Sequence, residues 1–385
     1  MKFWSRRLVL EVAGMSVVCL SGLALASRAG AQEKPKTAGE VFKNVTTSTL
    51  KGLTVADFMG SMGVMAAALG WDCADCHTGA GTDKVVWEAD TPRKVMARKM
   101  TEMVAVINKT NFGGAPMVSC WTCHHGRDIP ATTIALDTLY GAPNDERDDV
   151  VPKDPQPQVS PEQVLDKYIQ ALGGAQKLAG LTSFIATGTQ EGYVDVKGGG
   201  QFQIFAKAPD QRTVQIRFPD APDRGDQTRS FDGHTGIGWV TTPRALLGEY
   251  QAFGSELDGL KLDAELSFPG QIKQVLTNLR IGFNESVDGK EVQVVQGSGP
   301  NGLLATLFFD KSTGLLVRLI RYSRTPIGRV PTQVDYYDYR DVDGIKFPFK
   351  YKFSWLDGRD SFTINNVKVN VPIDEARFGK PSLGK

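Results

Sequence analysis

Phe58-Met59-Gly60-Ser61-Met62-Gly63-Val64-Met65-Ala66-Ala67-Ala68-Leu69-Gly70-Trp71-Asp72-Cys73-Ala74-Asp75-Cys76-His77 reads as a helix running into a five-residue motif. Phe58, Met62, Met65 and Leu69 recur at the spacing of one helix face, Thr54 stands where an N-cap belongs, and Gly70 ends the run. The same unit then returns. Thr91-Pro92 opens a second helix with Met96, Met100, Met103 and Ile107 in the same stripe, and the loop 111–119 leads to Cys120-Trp121-Thr122-Cys123-His124. Residues 37–136 therefore read as a small all-α domain, a tandem repeat of methionine-bearing helix, turn and motif.

Two cysteines three apart on one helical turn can both reach the vinyl groups of a haem, and the next histidine then lies beneath the iron. A disulfide redox motif or half of a zinc site also uses Cys-x-x-Cys. Neither requires a histidine directly after it twice. Given this chain's few cysteines and histidines, one such motif arises by chance on the order of once in a thousand chains. The expectation is two covalently bound haem c groups, on Cys73 and Cys76 and on Cys120 and Cys123, with His77 and His124 as iron ligands. Methionine ordinarily fills helix cores, but seven of the nine here lie between Met59 and Met117 and none follows. That clustering points to methionines as further iron ligands. Gly60, Ser61, Gly63 and Ala66 to Ala68 would let a helix lie flat against a porphyrin, whereas each glycine weakens an ordinary helix by up to ~1 kcal/mol.

The stretch from Met62 to His77, and that from Ala97 through Met103 and Asn108 to Gly126, resemble the cytochrome subunit of photosynthetic reaction centres over about residues 50–130. In that family a methionine on the helix before each motif supplies the sixth ligand. Carried over by position, the resemblance implies Met62 for the first haem and Met103 for the second, with Met100 as the alternative. The chain departs from the family in having two motifs where four are usual.

Met1 to Ala31 reads as a secretory signal: Lys2, Arg6 and Arg7, an apolar run from Val12 to Ala26, and Ala29-Gly30-Ala31 as the cleavage site before Gln32. The run is shorter than the ~20 residues of a membrane span. Cys19 reads as a cysteine removed with the signal, because Val18 before it is too bulky for lipid attachment. A periplasmic or exported protein, peripheral to the membrane if bound there at all, is expected. Residues 137–158, with Pro143, Pro152, Pro155, Pro157 and an acidic cluster, read as a linker.

The remainder, 159–385, opens with a helix capped by Ser160 and Pro161. It continues in alternating runs such as Phe202–Phe205, Arg212–Ile216, Leu304–Phe309 and Lys346–Phe353, separated by turns at 197–200, Asp288-Gly289, 312–314 and Asp343-Gly344. Such alternation predicts antiparallel sheet with one buried face. Residues 245–279 break the rhythm and read as two or three short helices. This part faintly resembles LolA-like periplasmic lipoprotein-carrier domains, which implies a half-barrel closed by helices and a hydrophobic ligand. The expected fold class is multidomain: a dihaem cytochrome c domain followed by a mainly antiparallel β domain.

The net charge of +1 lacks the footprint of a nucleic-acid binder. The function expected is electron carriage rather than enzymatic catalysis, between redox partner proteins or a membrane-bound electron-transfer complex. A dihaem peroxidase, with one iron open, and a lipid or lipoprotein binder with a cytochrome input are the alternatives. The linker further predicts that a fragment ending near Pro155 keeps both haems.

Overall fold

A computed structural model describes residues 34–133, 149–192, 199–222, 225–242 and 248–381. The leader read at 1–31 and the linker's first part, 137–148, lie outside the described residues.

The chain is multidomain α+β, a helical region followed by a large antiparallel sheet. Two short helices, α1 (Ala38–Val41) and α2 (Ser48–Lys51), precede α3 (Val55–Leu69). Thr54 caps α3, its Oγ1 accepting the Asp57 amide at 3.2 Å, and Gly70 closes it at φ 67°. The first motif forms a single turn, α4 (Cys73–Cys76), in a capping box made by Asp72 and Asp75. Thr91 caps α5 (Pro92–Asn111), and Ser119 caps the second motif's turn, α6 (Cys120–His124).

Then come α7 (Pro161–Ala171), in the expected Ser160–Gln163 capping box, and α8 (Ala175–Ala179). Among the described residues fourteen strands form one sheet, all neighbours antiparallel. From β6 (Gly248–Ala252) at one edge the order runs back to β1 (Ser183–Gly192), across to β14 (Gly358–Val369), and on to β9 (Lys290–Ser298) and β7 (Thr277–Ile281). Asp288-Gly289 and Asp343-Gly344 turn with φ positive at both residues, the twist a tight hairpin needs. Residues 248–252 were expected to be helical and instead form the edge strand, pairing with Gly238 to Thr242. The helices begin only at α9 (Gly254–Leu266) and α10 (Ile272–Val275).

The main core lies on the sheet's inner face. Val164, Leu165, Tyr168, Ile169 and Leu172 of the α7 segment pack there with Phe184, Phe202, Leu307 and Phe309. The described end of the linker is pinned to this sheet. Val151 is buried with Val292, Val294 and Phe308, its amide donating to Gln296 Oε1 at 3.2 Å, while Gln296 Nε2 donates to the Asp149 carbonyl at 2.8 Å.

The described residues from Pro35 onward form one compact unit. Two hairpin tips make the junction. Between β11 (Leu316–Thr325) and β12 (Gly328–Val342), Ile327 is fully buried with Val64 and Val104, and its carbonyl accepts the Cys120 amide at 3.1 Å. Between β13 (Ile345–Trp355) and β14, Leu356 packs against Gly63 and the same cluster.

Candidate haem sites

The cysteines of each motif project from a single helical turn. All four are free thiols, Cys73 and Cys123 exposed and Cys76 and Cys120 half-buried. Burial raises the thiols of Cys73 and Cys76 and pushes Cys120 up to about 11. The three shifts run opposite to the lowering that activates cysteines in redox motifs. Among the described residues no three His, Cys, Asp or Glu converge as a metal cluster.

Both histidines are oriented in one way. His77 Nδ1 meets the Trp87 carbonyl at 3.2 Å, and His124 Nδ1 meets the Arg127 carbonyl at 2.9 Å. A carbonyl can only accept, so each Nδ1 carries the proton and each Nε2 is left with its lone pair, the tautomer an iron ligand requires. Burial, with help from Lys94, lowers the His77 value and favours the neutral ring. The Trp87 ring lies edge-on to His77 at 5.1 Å.

Other side chains brace the motifs. Thr91 Oγ1 donates to the Cys76 carbonyl at 3.0 Å, joining the α5 cap to the first motif. Arg93 donates to both the carbonyl and the carboxylate of Asp75 while lying 4.3 Å over the Trp71 ring. The Asp72 amide and the Arg93 guanidinium hold the Asp75 carboxyl below its usual range. Glu88 and Asp90 likewise pair with Lys43 and Arg98. The acidic residues around the first motif are thus largely engaged in building it. Asn108 is buried on α5, accepts from the amides of Met117 and Val118, and donates to the Val118 carbonyl at 2.7 Å, fixing the approach to Cys120.

The two motif regions also touch. The Gly126 amide donates to the Ala68 carbonyl at 2.9 Å, and a Cβ on Gly70 would lie 2.5 Å from the Gly126 oxygen. Gly70→Ala therefore adds a clash to the left-handed backbone cost of about 1–2 kcal/mol. A lower Tm, by roughly 1–1.5 °C per kcal/mol in a chain of this size, is the expected result.

The methionines divide by surroundings. Met65 packs against the Val64, Val104 and Ile327 cluster, and Met59 lines a cavity shared with the sheet. Met62 is half-buried and belongs to neither group. On α5 the buried face is Thr101, Val104 and Asn108. The stripe expected to be apolar lies beside it, with Met96 53% and Met103 42% exposed and Met100 half-buried. Trp121, Val106, Phe112 and Met117 are exposed in the same region. Apolar surface this concentrated calls for a large apolar partner. With the histidine tautomers and the free thiols, it makes the chain's residues fit haem at both motifs.

Sequence reading missed the carbonyls of Trp87 and Arg127. Arg127 serves His124 through its backbone carbonyl rather than its charged side chain. His125, at φ 47°, closes α6 with its ring 5.6 Å from Trp121.

Residues 20–160 match the family model described as the photosynthetic reaction centre cytochrome C subunit. The photosynthetic reaction center cytochrome c subunit of Rubrivivax gelatinosus is 35% identical over 100 residues, 24% of this chain and 25% of that protein. The match thus spans about a quarter of that relative's length. Among solved structures, a DUF1329 family protein from Desulfovibrio piger aligns with a TM-score of 0.40 at 12% identity, covering 57% of this chain and 96% of that one. A LolA superfamily protein from Nitrosomonas europaea aligns at 0.39 with 15% identity, covering 58% and 98%.

Proposed function

We propose that the chain is an exported dihaem c-type cytochrome that carries electrons between redox partner proteins. Cys73, Cys76 and His77 hold one haem, and Cys120, Cys123 and His124 hold the other. The observation that carries this reading is the repetition of one device: two thiols on a capped turn, followed by a histidine whose Nδ1 is tied to a carbonyl. The family match over 20–160 supports it independently. When bound, each haem supplies a one-electron iron couple.

The chain's own residues set up that couple. Trp87 and Arg127 orient the imidazoles, Asn108 and Thr91 fix the motifs, and the hairpin tip at Ile327 buries the helices that bear the methionines. Met62 is the sixth ligand proposed for the first iron, because packing accounts for Met65 and the cavity for Met59. Met103 is proposed for the second, with Met100 as the alternative. Methionine at that position raises the potential and fills the place a substrate would take, which favours electron carriage over peroxidase chemistry. Export follows from the leader, since c-type haem is attached outside the cytoplasm. Among the described residues no helix is long and apolar enough to cross a membrane.

A pyridine haemochrome assay on the mature protein, beginning at Gln32, is expected to give two covalent haems per chain. Cys76→Ala and Cys123→Ala each disrupt attachment at one site. Zinc in place of iron would overturn the reading.

A further inference from the structure

α5 opens against the usual rule for helix ends. The positive end of a helix dipole favours acidic residues in the first turn, yet α5 has none there and places Arg93 and Lys94 directly after Pro92. Arg93 is accounted for by its bond to the Asp75 carboxylate at 2.7 Å. Lys94 is not accounted for in that way. Among the described residues its ammonium meets no carboxylate and donates instead to two carbonyls, that of Ala89 at 2.6 Å and that of Trp87 at 2.8 Å. The carboxylates of the preceding loop are engaged elsewhere, Glu88 with Lys43 and Asp90 with Arg98.

The Trp87 carbonyl is also the one that orients His77. It therefore receives two donors, the Lys94 ammonium at 2.8 Å and His77 Nδ1 at 3.2 Å. A carbonyl oxygen has a lone pair for each, but the charged donor takes the stronger bond and leaves less negative charge for the imidazole. At the second motif, His124 Nδ1 has the Arg127 carbonyl to itself among the described residues, and that bond is shorter, 2.9 Å. The two histidines share a tautomer, and the Lys94 ammonium sets them apart. Thr91 holds this turn of α5 against the first motif, its Oγ1 accepting the Lys94 amide at 3.2 Å and donating to the Cys76 carbonyl at 3.0 Å.

We propose that Lys94 is a positioning residue that raises the potential of the first haem by sharing the Trp87 carbonyl with His77, an inference that rests on the haem reading above. Two effects run the same way. A weaker bond at Nδ1 makes the imidazole a poorer donor to iron, and a fixed positive charge disfavours the ferric state, which carries one charge more than the ferrous. The half-buried ammonium is screened less than one in open water.

The test is a spectroelectrochemical titration of the full-length mature protein and its Lys94 variants, after a pyridine haemochrome assay has counted the haems. Lys94→Leu is expected to lower one of the two couples by about 59 mV, a tenfold change in a one-electron equilibrium constant, and to leave the other in place. Lys94→Arg, which keeps the charge and a donor, is expected to hold the couple where it was. The proton on His77 Nδ1, read by NMR in the ferrous state, separates this role from simple support of the loop. Freed of its competitor, the His77 bond tightens, so in Lys94→Leu that resonance moves downfield and exchanges more slowly with water. A loop that had come loose would give the opposite. Lys94→Gln, which keeps a neutral donor, serves if Lys94→Leu does not fold, and is expected to lower the same couple. With two haems attached, an unmoved couple in Lys94→Leu and Lys94→Gln, an equal fall in Lys94→Arg, or an upfield and faster-exchanging His77 proton overturns the proposal. A count of no covalent haem overturns the haem reading and takes this inference with it, a failure that the first assay alone detects.

Discussion

Truncation after Pro155 is expected to cost the chain the integrity of its second haem site, and with it cooperative folding of the helical region. The linker's composition led to the opposite expectation. The contacts decide the matter, because the first residue of the second motif is tied to the sheet domain through the bond from the Cys120 amide to the Ile327 carbonyl. Ile327 also fills the space between Val64 and Val104, and Val330 and Leu356 cover Gly60 and Gly63. Removing the hairpins would expose several such side chains, each worth about 1.5–3 kcal/mol when fully buried, in a region too small to spare them. A fragment of residues 32–155, produced with the full haem-attachment machinery, should hold fewer than two haems or melt without a cooperative transition. A fragment with two haems and an unchanged absorption spectrum would show that the two parts are independent after all.

What was legible in the sequence was local. Thr54, Thr91 and Ser160 announce their helices because a cap is a side chain bonded to its own neighbours, and Asp343-Gly344 announces its turn because few residues accept positive φ. The motifs were legible for the same reason, since their chemistry is compressed into five residues. The carbonyls that orient His77 and His124 were not, because a backbone acceptor carries no mark of residue type. Trp87, an aromatic residue in a polar loop ten positions past the histidine, was the nearest signal. Residues 248–252 were misread because an edge strand is specified by its partner, here Gly238 to Thr242, which pattern alone does not reveal. Ile327 looks like an ordinary turn residue until α3 and α5 are seen around it.

Met62→Ala is expected to convert one iron from low spin to high spin and give it new affinity for carbon monoxide, with thermal stability little changed. The resemblance to the reaction-centre cytochrome subunit implies Met62, and the other methionines of α3 have different surroundings. Met65→Ala opens a gap in the cluster around Ile327, so it should lower Tm while leaving the spectrum intact; full burial would make such a change worth about 2–5 kcal/mol, and its half-buried position makes the loss smaller. Met59→Ala should alter the cavity rather than the iron. Met62 is half-buried outside both the Ile327 cluster and the cavity lining, and iron ligation is the role proposed for it. The same comparison on α5 separates Met103 from Met100: whichever alanine variant frees the second iron identifies the ligand, while the other leaves the spectrum as it was. Magnetic circular dichroism in the near infrared, where methionine-ligated ferric haem has its own band, reads each variant directly. Should Met62→Ala leave both irons low-spin and closed to carbon monoxide, Met62 is not a ligand. Should the unmodified protein already bind carbon monoxide and turn over peroxide, one iron is open and the electron-carrier reading gives way to the enzyme.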